Sequence, residues 1–446
     1  MVRDLTKGSV PKHLITFAIP IILGNLFQLT YNAVDSIVVG RYAGAGSLAA
    51  VGTANPVMNI VILGVTGICI GASVLMSQFF GAGDEEKLKK EVSTTLVFGG
   101  VFSLAMVVLG LVFSKAILWL MSTPEEILDI AAVYLRIIFL GMPFTYLYNA
   151  MASAMRSVGD SKTPIQFLAA SSVLNIFLDF LFVAVFHWEA VGAGIATVLS
   201  QAMSALLCVW YVYRRVPLLQ LRPGELKMDR ELLKLTLQHG SITALQQSCQ
   251  PIGKLLIQGK INTLGVSAMA AFNAVNRVDD FAFTPEQSIS HAMMTFIAQN
   301  RGAKQMDRVK KGFRDGLLVE FGYWVLICTV ILLFRRPIMG LFSSGESGGM
   351  LELGVEYLGL MAFFYLLPAF TNGIQGFFRG MGNMKITLIS TIIQISVRVV
   401  FVYLLVPAVG MTGVAYASLI GWICMLAAEV PYYFAYMKKQ EQSAQR

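Results

Sequence analysis

Four polar residues follow one face of the first apolar stretch of the chain. Asn25, Gln28, Asn32 and Asp35 are spaced by three, four and three residues, so on a helix they share one side. At membrane depth an ionised carboxylate costs at least about 3 kcal/mol unless it has a partner, a proton or a bound cation. If this stretch crosses a membrane, Asp35 is a candidate ion- or proton-binding residue.

Two later apolar stretches carry similar stripes. They are Ser172, Asn175 and Asp179, spaced by three and four residues, and Thr197, Gln201 and Ser204, spaced by four and three. If Asp35 and Asp179 face each other, the two like charges titrate as one unit. The carboxamide of Asn175 and the hydroxyl of Thr197 add hard oxygen ligands, the kind that an alkali cation prefers.

Composition identifies the solvent around these stripes. The chain has 446 residues, of which 56% are hydrophobic and 13% charged, whereas soluble chains carry about 25% charged residues. Most apolar runs reach the roughly 20 residues that a bilayer requires. The sequence contains twelve apolar runs, at about 14–40, 48–80, 92–120, 131–155, 164–187, 191–213, 234–260, 266–299, 313–340, 353–378, 386–407 and 411–437. We therefore predict an all-α polytopic membrane protein with twelve transmembrane helices.

Basic residues indicate the orientation of these helices. Most of the 34 Lys and Arg residues fall in alternate loops, on the side of the two chain ends. The positive-inside rule then places both termini in the cytoplasm of a multi-pass protein of the cytoplasmic membrane. The net charge of +8 suits loops beside anionic lipid, and it requires no nucleic-acid partner.

The chain also contains an internal repeat. A shift of 221 residues pairs Gln78 with Gln299, Gly81 with Gly302, and Gly44 with Gly265, without a gap. A shift of 223 residues pairs RSVGDSK (156–162) with RGMGNMK (379–385). We therefore predict an N-terminal six-helix bundle (1–217), a cytoplasmic connector (218–231) and a C-terminal six-helix bundle (232–446). An even number of helices in each half implies a pseudo-two-fold axis along the membrane normal.

The two halves of the sequence differ in the positions of their acidic residues. Leu256 is the counterpart of Asp35, and the counterpart of Asp179 falls near Arg398. A single ion site in the first half is therefore expected. Asp279, Asp280 and Glu286 could form a second one in the eighth run, but ion pairing with Arg277 or Lys254 is the favoured interpretation.

Further polar residues could line a substrate cavity. Those proposed as cavity or substrate contacts are Gln28, Asn32, Gln201, Gln246, Gln250 and Lys254. Three glycine pairs with small-xxx-small spacing, Gly40–Gly44, Gly67–Gly71 and Gly376–Gly380, predict close helix packing. Ser, Thr and Asn in these stripes could equally serve only to bind helices together.

Several segments resemble the multidrug and toxic compound extrusion (MATE) family, over the whole chain. They are AIPIILGNLFQLTYNAVDSIVVG, SQFFGAGDEEKLKK with its echo AQNRGAKQMDRVKKG, MRSVGDSKTP, FRGMGNMKIT, and LNIFLDFLF followed by VGAGIATVLSQ. The resemblance implies a V-shaped pair of six-helix bundles that exports organic cations in exchange for Na⁺ or H⁺. It also implies that Asp35, Asn175, Asp179 and Thr197 are the prokaryotic coupling site, and that the first helix bends near Pro20.

Secondary-active multidrug efflux by alternating access is thus the predicted function. The sequence contains no GxxxxGK[ST] phosphate loop, and its histidines show no HExxH pattern. We expect no enzyme activity, no cofactor and no metal other than coupling Na⁺. We also expect a monomer that binds small cationic or amphipathic substrates. The alternative is a flippase or exporter of a lipid-linked or other amphipathic metabolite from the same superfamily. The few, scattered intramembrane bases (Arg136, Lys254, Arg277, Arg398) argue against it.

Overall fold

The structure, a computed structural model, describes residues 2–342 and 348–444, except for the side chains at 32, 33, 35, 36, 39, 223, 348, 443 and 444. Within these ranges the chain forms fourteen α-helices and no β-strand. The predicted all-α class is confirmed.

The helices follow one another with short connections. In the first half they are α1 (Val10–Val38), α2 (Gly44–Ala82), α3 (Glu85–Leu120), α4 (Glu125–Leu140), α5 (Met142–Ser157), α6 (Lys162–Asp179) and α7 (Glu189–Arg215). In the second half they are α8 (Arg230–Ile261), α9 (Val266–Gly302), α10 (Met306–Gly340), α11 (Gly348–Phe364), α12 (Leu366–Gly380), α13 (Met384–Val409) and α14 (Thr412–Ala444).

Up to ten segments of the described residues are candidate membrane spans. Eight single helical spans in the described residues are long and apolar enough to cross a bilayer, and the bent pairs α4–α5 and α11–α12 add two more. The remaining two, α8 and α9, are long enough but more polar than a lipid-facing span. In α9 the polarity comes from the charged residues that interrupt the eighth predicted run. The predicted twelve-helix architecture includes α8 and α9 as two further segments, and they are its most polar members.

Two runs that the sequence shows as continuous are bent in the structure. α4 and α5 meet at an angle of 43°, as do α11 and α12. Pro143 lies in the first turn of α5, and Pro368 is the third residue of α12. Proline has no amide hydrogen, and its ring clashes with the carbonyl of the residue four positions earlier, which favours a bend at these positions.

Aspartates begin three of the helices at the end assigned to the cytoplasm. Asp84, Asp160 and Asp229 each accept a hydrogen bond from the backbone amide three residues on, at 3.0, 3.1 and 3.1 Å. Such caps satisfy amides that the first turn of a helix leaves unpaired. The bond from the Lys87 amide holds the pKa of Asp84 below its ordinary value.

The chain divides into two compact units. Unit 1 comprises Met1–Gly8, Thr16–Ala244 and Ala298–Gln305, and unit 2 comprises Ser9–Ile15, Leu245–Ile297 and Met306–Arg446. The first part of α8 and the end of α9 therefore belong to unit 1, although both lie in the second sequence repeat. The bundle boundaries drawn from the repeat stay a prediction about evolutionary halves, distinct from these compact units.

Each unit has its own apolar core. In unit 1, Val65 of α2 and Leu135 of α4 belong to one buried cluster, together with Tyr146 of α5. In unit 2, Ile257 and Tyr365 are buried in a cluster that also receives Trp422 of α14. Aromatic side chains bury large areas, so they account for much of the packing in both cores.

Glycines allow α2 and α8 to pack closely within unit 1. A Cβ atom on Gly71 would lie 2.7 Å from the amide nitrogen of Gly240 and 2.8 Å from the carbonyl oxygen of Thr236. A Cβ atom on Gly67 would lie 2.7 Å from the Gly240 carbonyl oxygen. The close packing predicted for the Gly67–Gly71 pair is confirmed.

The other two glycine pairs have different outcomes. Gly376 and Gly380 of α12 lie against the backbone of α9, where an added Cβ would be 2.7 Å from the carbonyl oxygens of Ser290 and Met294, so this prediction is confirmed. The prediction for Gly40–Gly44 is wrong, because no heavy atom lies within 4 Å of a Cβ built on Gly44. Gly44 has a φ of +83° instead, and it ends a π-helical turn, a conformation that glycine adopts without strain.

The α2–α8 contact yields a stability test. We expect Gly71→Ala to destabilise the protein by about 1–3 kcal/mol, because the added methyl group meets backbone atoms that cannot move aside. Gly52→Ala on the same helix, where the space is open, should be neutral or stabilising by up to about 1 kcal/mol through helix propensity. Thermal unfolding in detergent compares them, and equal melting temperatures would contradict the packing role.

Candidate ion-coupling site

The polar stripe of α1 lies on a helix that packs against α6. A Cβ atom on Gly24 would lie 2.6 Å from Cγ2 of Ile165, so the two helices are close at this level. Beyond this contact, Asn25 is half-buried and Gln28 is exposed. Residues 32 and 35 continue the helix, but the predicted side chains Asn32 and Asp35 lie outside what the structure describes. α1 is a single helix through Pro20, and the bending role of Pro20 stays a prediction.

The two predicted residues of α6 are buried deeply. Asn175 is 1% exposed and Asp179 is 0% exposed. The hydroxyl of Tyr31 on α1 donates a hydrogen bond to Oδ1 of Asn175. The Nδ2 atom of Asn175 is buried with no hydrogen-bond partner among the described residues. α1 and α6 are therefore connected by a polar contact one helical turn before Asp179.

Both candidate acids precede a π-helical turn. α1 passes into a π turn at Val39–Ala43, four residues after Asp35, and α6 passes into one at Phe180–Val185, directly after Asp179. The two π turns pack together, with the rings of Tyr42 and Phe180 edge to face at 5.9 Å. π turns break the regular backbone hydrogen bonding of a helix and are frequent at functional sites.

The predicted residues of α7 line a separate cavity in unit 1. Thr197 and Gln201 face it, with Met142 and Thr145 from α5 on another side. The Thr197 hydroxyl donates to the Ala193 carbonyl oxygen at 2.9 Å, so its lone pairs remain able to accept. The structure thus brings Thr197 and Gln201 together at one cavity, whose lining includes neither Asn175 nor Asp179.

The α6 residues offer chemistry that suits a proton or a hard monovalent cation. A carboxylate and an amide oxygen are the ligand types that alkali and alkaline-earth cations take. Among the residues that the structure describes, no three His, Cys, Asp or Glu side chains are grouped so as to hold a transition metal. The buried carboxylate of Asp179 lies one helical turn after the carboxamide of Asn175, so α6 carries two oxygen ligands of this kind.

Gln246 of α8, proposed as a cavity contact, is part of the interior of unit 2. It is 5% exposed, and its Nε2 donates to Oε1 of Gln375 at 2.8 Å and to Oγ1 of Thr391 at 3.1 Å. Its Oε1 accepts from Arg379 at 3.0 Å and from Thr387 at 3.1 Å. Every polar atom of the side chain is engaged, which indicates a packing role.

The other two candidates on α8 lie at the surface. Gln250 is exposed, and Lys254 forms an ion pair with Asp280 at 3.3 Å, with each side chain 45% exposed. The interpretation that the acids of the eighth run pair internally is therefore confirmed for Asp280. Asp279 also has an internal partner, since the Tyr365 hydroxyl donates to its Oδ1.

Sequence reasoning missed three residues near these groups. Tyr31 was not singled out, because its partner Asn175 is 144 residues away in sequence. Glu320 of α10 is 0% exposed, and neither carboxylate oxygen has a hydrogen-bond partner among the described residues. Glu429 of α14 is also fully buried and accepts from Ser390 at 2.7 Å. An acidic residue inside an apolar run was the available signal for both glutamates.

One family model matches both halves of the chain. The MatE family model matches residues 20–181 and again residues 243–404. The two matches begin at positions that differ by 223 residues (243 − 20), the offset that pairs RSVGDSK with RGMGNMK.

Individual relatives cover nearly the whole chain. "Probable multidrug resistance protein YoeA" of Bacillus subtilis (strain 168) is 32% identical over 386 residues, which is 85% of this chain and 83% of that protein. "Probable multidrug resistance protein YpnP" of the same organism is 29% identical over 433 residues, 96% of each chain. The structure resembles a crystal structure of MATE in complex with MaL6, with a TM-score of 0.91, 24% identity and coverage of 99% of both chains.

The contrast between Gln246 and Gln250 can be tested directly. Gln246→Ala should lower the free energy of unfolding by about 2 kcal/mol, because it leaves buried partners such as Arg379 with fewer hydrogen bonds. Gln250→Ala, the matched change on the exposed side of α8, should stay within about 0.5 kcal/mol of the parent protein. Thermal unfolding in detergent provides the measurement, and an unchanged Gln246→Ala protein would contradict the packing role.

Proposed function

Because the chain belongs to the MatE family, whose members are multi-pass membrane transporters, we propose that it is a secondary-active exporter of organic cations and drugs. The exchanged ion is Na⁺ or H⁺. The observation that carries this proposal is the fully buried Asp179, one helical turn after Asn175, whose carboxamide accepts a hydrogen bond from Tyr31 of α1. The names of the relatives YoeA and YpnP, both probable multidrug resistance proteins, support the class of substrate.

Energetics require a coupled ion. Moving a monovalent cation out of a cell against an interior-negative potential costs about 2.3 kcal/mol per 100 mV. The sequence has no phosphate-binding loop for ATP, so inward movement of Na⁺ or H⁺ is the proposed energy source. The exporter acts as a monomer in the cytoplasmic membrane, with both termini in the cytoplasm.

Asp35, Asn175, Asp179 and Thr197 form the proposed coupling site. An ionised carboxylate without water is destabilised, so neutralisation of Asp179 by a proton or by Na⁺ changes the free energy of the packed α1–α6 arrangement. If the ion favours one arrangement of the helices and the substrate favours another, each reduces the affinity for the other. This reciprocal effect produces antiport by alternating access, with α1 bending near Pro20 as one component of the change.

Neutral substitutions test the site. Asp179→Asn and Asp35→Asn should each reduce the initial rate of efflux of a fluorescent organic cation from energised vesicles at least about tenfold, the effect of losing about 1.4 kcal/mol of coupling. Asp129→Asn is the matched control, because Asp129 is 78% exposed and paired with Lys115 at 2.6 Å. Undiminished efflux by both site variants would contradict the assignment.

The driving ion is tested with purified protein in liposomes. A sodium gradient and a proton gradient are imposed separately, and substrate movement is followed in each case. At least one gradient should drive substrate against its own concentration difference, and Asp179→Asn should abolish that response. Failure of both gradients, with protein that is folded and correctly inserted, would overturn the antiport proposal.

A further inference from the structure

The ends of α2 and α9 cross at two glycines in unit 1. A Cβ atom on Gly81 would lie 1.9 Å from the carbonyl oxygen of Gln299, and one on Gly302 would lie 1.9 Å from the carbonyl oxygen of Gln78. The contact is reciprocal, because the repeat pairs Gly81 with Gly302 and Gln78 with Gln299. The end of a second-half helix is thus in backbone contact with its first-half counterpart.

A segment at the start of the chain holds this end of α9 in place. The Leu5 amide donates to Oε1 of Gln299 at 3.1 Å, and Nδ2 of Asn300 donates to the Leu5 carbonyl oxygen at 3.3 Å. Gln299 also donates through Nε2 to the carbonyl oxygen of Ser157 at 2.7 Å. Gln299 and Asn300 are both 0% exposed, and Leu5 is 1% exposed. These hydrogen bonds are therefore shielded from water, where each is worth more than on a surface.

The same segment is also attached to the loop between α5 and α6. The Arg3 amide donates to the carbonyl oxygen of Val158 at 3.0 Å. Gly159 lies against Arg3, with a φ of +88°, and a Cβ atom there would be 2.2 Å from the Arg3 carbonyl oxygen. Asp160 continues this loop into the first turn of α6, where its Oδ1 accepts from the Thr163 amide at 3.1 Å. Residues 3–6 therefore bridge the end of α9 and the loop that leads into α6.

The bridge is next to both helices of the proposed coupling site. α6 carries Asn175 and Asp179, and α1, which begins at Val10, carries Asp35. The hydrogen bonds to Leu5 involve its backbone, so they depend on the path of the segment rather than on its side chains. A change of either helix at its first turn would alter the geometry of the bridge.

We propose that residues 3–6 act as a latch on the cytoplasmic side. The latch holds α9 in its crossing with α2, and its release is required for the cytoplasmic side to open during transport. This role rests on the proposed function, because only an alternating-access transporter has to separate these helix ends. The latch adds to the stability of the closed crossing without touching the substrate or the coupled ion.

The latch is tested by the accessibility of a residue at the crossing. Ser77 of α2 is 1% exposed, and its hydroxyl has no hydrogen-bond partner among the described residues, so Ser77→Cys is a mild change. The native cysteines are first replaced by serine; they are Cys69, Cys208, Cys249, Cys328 and Cys424. Inside-out vesicles are then treated with a membrane-impermeant maleimide, and the rate of modification is measured.

Gln299→Ala and a deletion of residues 3–6 should each raise this rate about fivefold or more, the factor that corresponds to one lost hydrogen bond. Val2→Ala is the matched control, because Val2 is 42% exposed and precedes the latch, and it should change the rate less than twofold. Asn300→Ala provides a second point variant should the deletion fail to insert. Monodisperse elution in detergent confirms that each variant is folded.

Efflux is measured in the same vesicles to separate the two proposals. Unchanged maleimide rates in folded Gln299→Ala and Asn300→Ala proteins would overturn the latch, while normal efflux by the parent protein would leave the proposed function intact. Absence of efflux in the parent protein would overturn the proposed function. Faster modification in the latch variants with retained substrate binding is the result that supports the latch.

Discussion

A carboxylate buried in a bilayer has no water to solvate its charge, and the arrangement around α6 follows from this constraint. Asp179 is completely buried at the last position of the α-helical part of α6. One turn earlier, the carboxamide of Asn175 is engaged by the Tyr31 hydroxyl. α1 must therefore stay close to α6, and Gly24 permits this approach because it has no side chain to keep Ile165 away. Helix packing and the burial of these polar side chains thus impose the same requirement on the same pair of helices.

Unit 2 contains buried polar groups of two kinds. Gln246 uses all its hydrogen-bonding atoms within unit 2, and Asp279 accepts from Tyr365. Buried polar groups whose hydrogen bonds are made inside the unit stabilise one packing arrangement, as expected for polar residues with a structural role. Glu286, Glu320 and Glu429 depart from this pattern, since each has at least one buried carboxylate oxygen without a hydrogen-bond partner among the described residues.

Helical periodicity explains which parts of this arrangement could be predicted. The three- and four-residue spacing placed Asn175 and Asp179 on one face of α6, and small-residue spacing located the contact at Gly71. Both are local properties of one helix. The Tyr31–Asn175 bond joins helices 144 residues apart, and the π turns arise where two helices meet. A single sequence does not encode such tertiary contacts in any local pattern, so these features emerge only from the structure.

The crossing of α2 and α9 at Gly81 and Gly302 explains why the 221-residue pairing of these two helices has no gap. At Gly81 and Gly302 each backbone occupies the space of the other residue's missing side chain. A shift of either helix by one residue would rotate its glycine out of the contact by about 100°, since a helix turns once in 3.6 residues, and would bring a larger side chain against a carbonyl oxygen. The 221-residue offset is therefore constrained along α2 and α9, whereas the loops at 156–162 and 379–385 have moved to an offset of 223. Loops tolerate such insertions because their length affects stability only weakly.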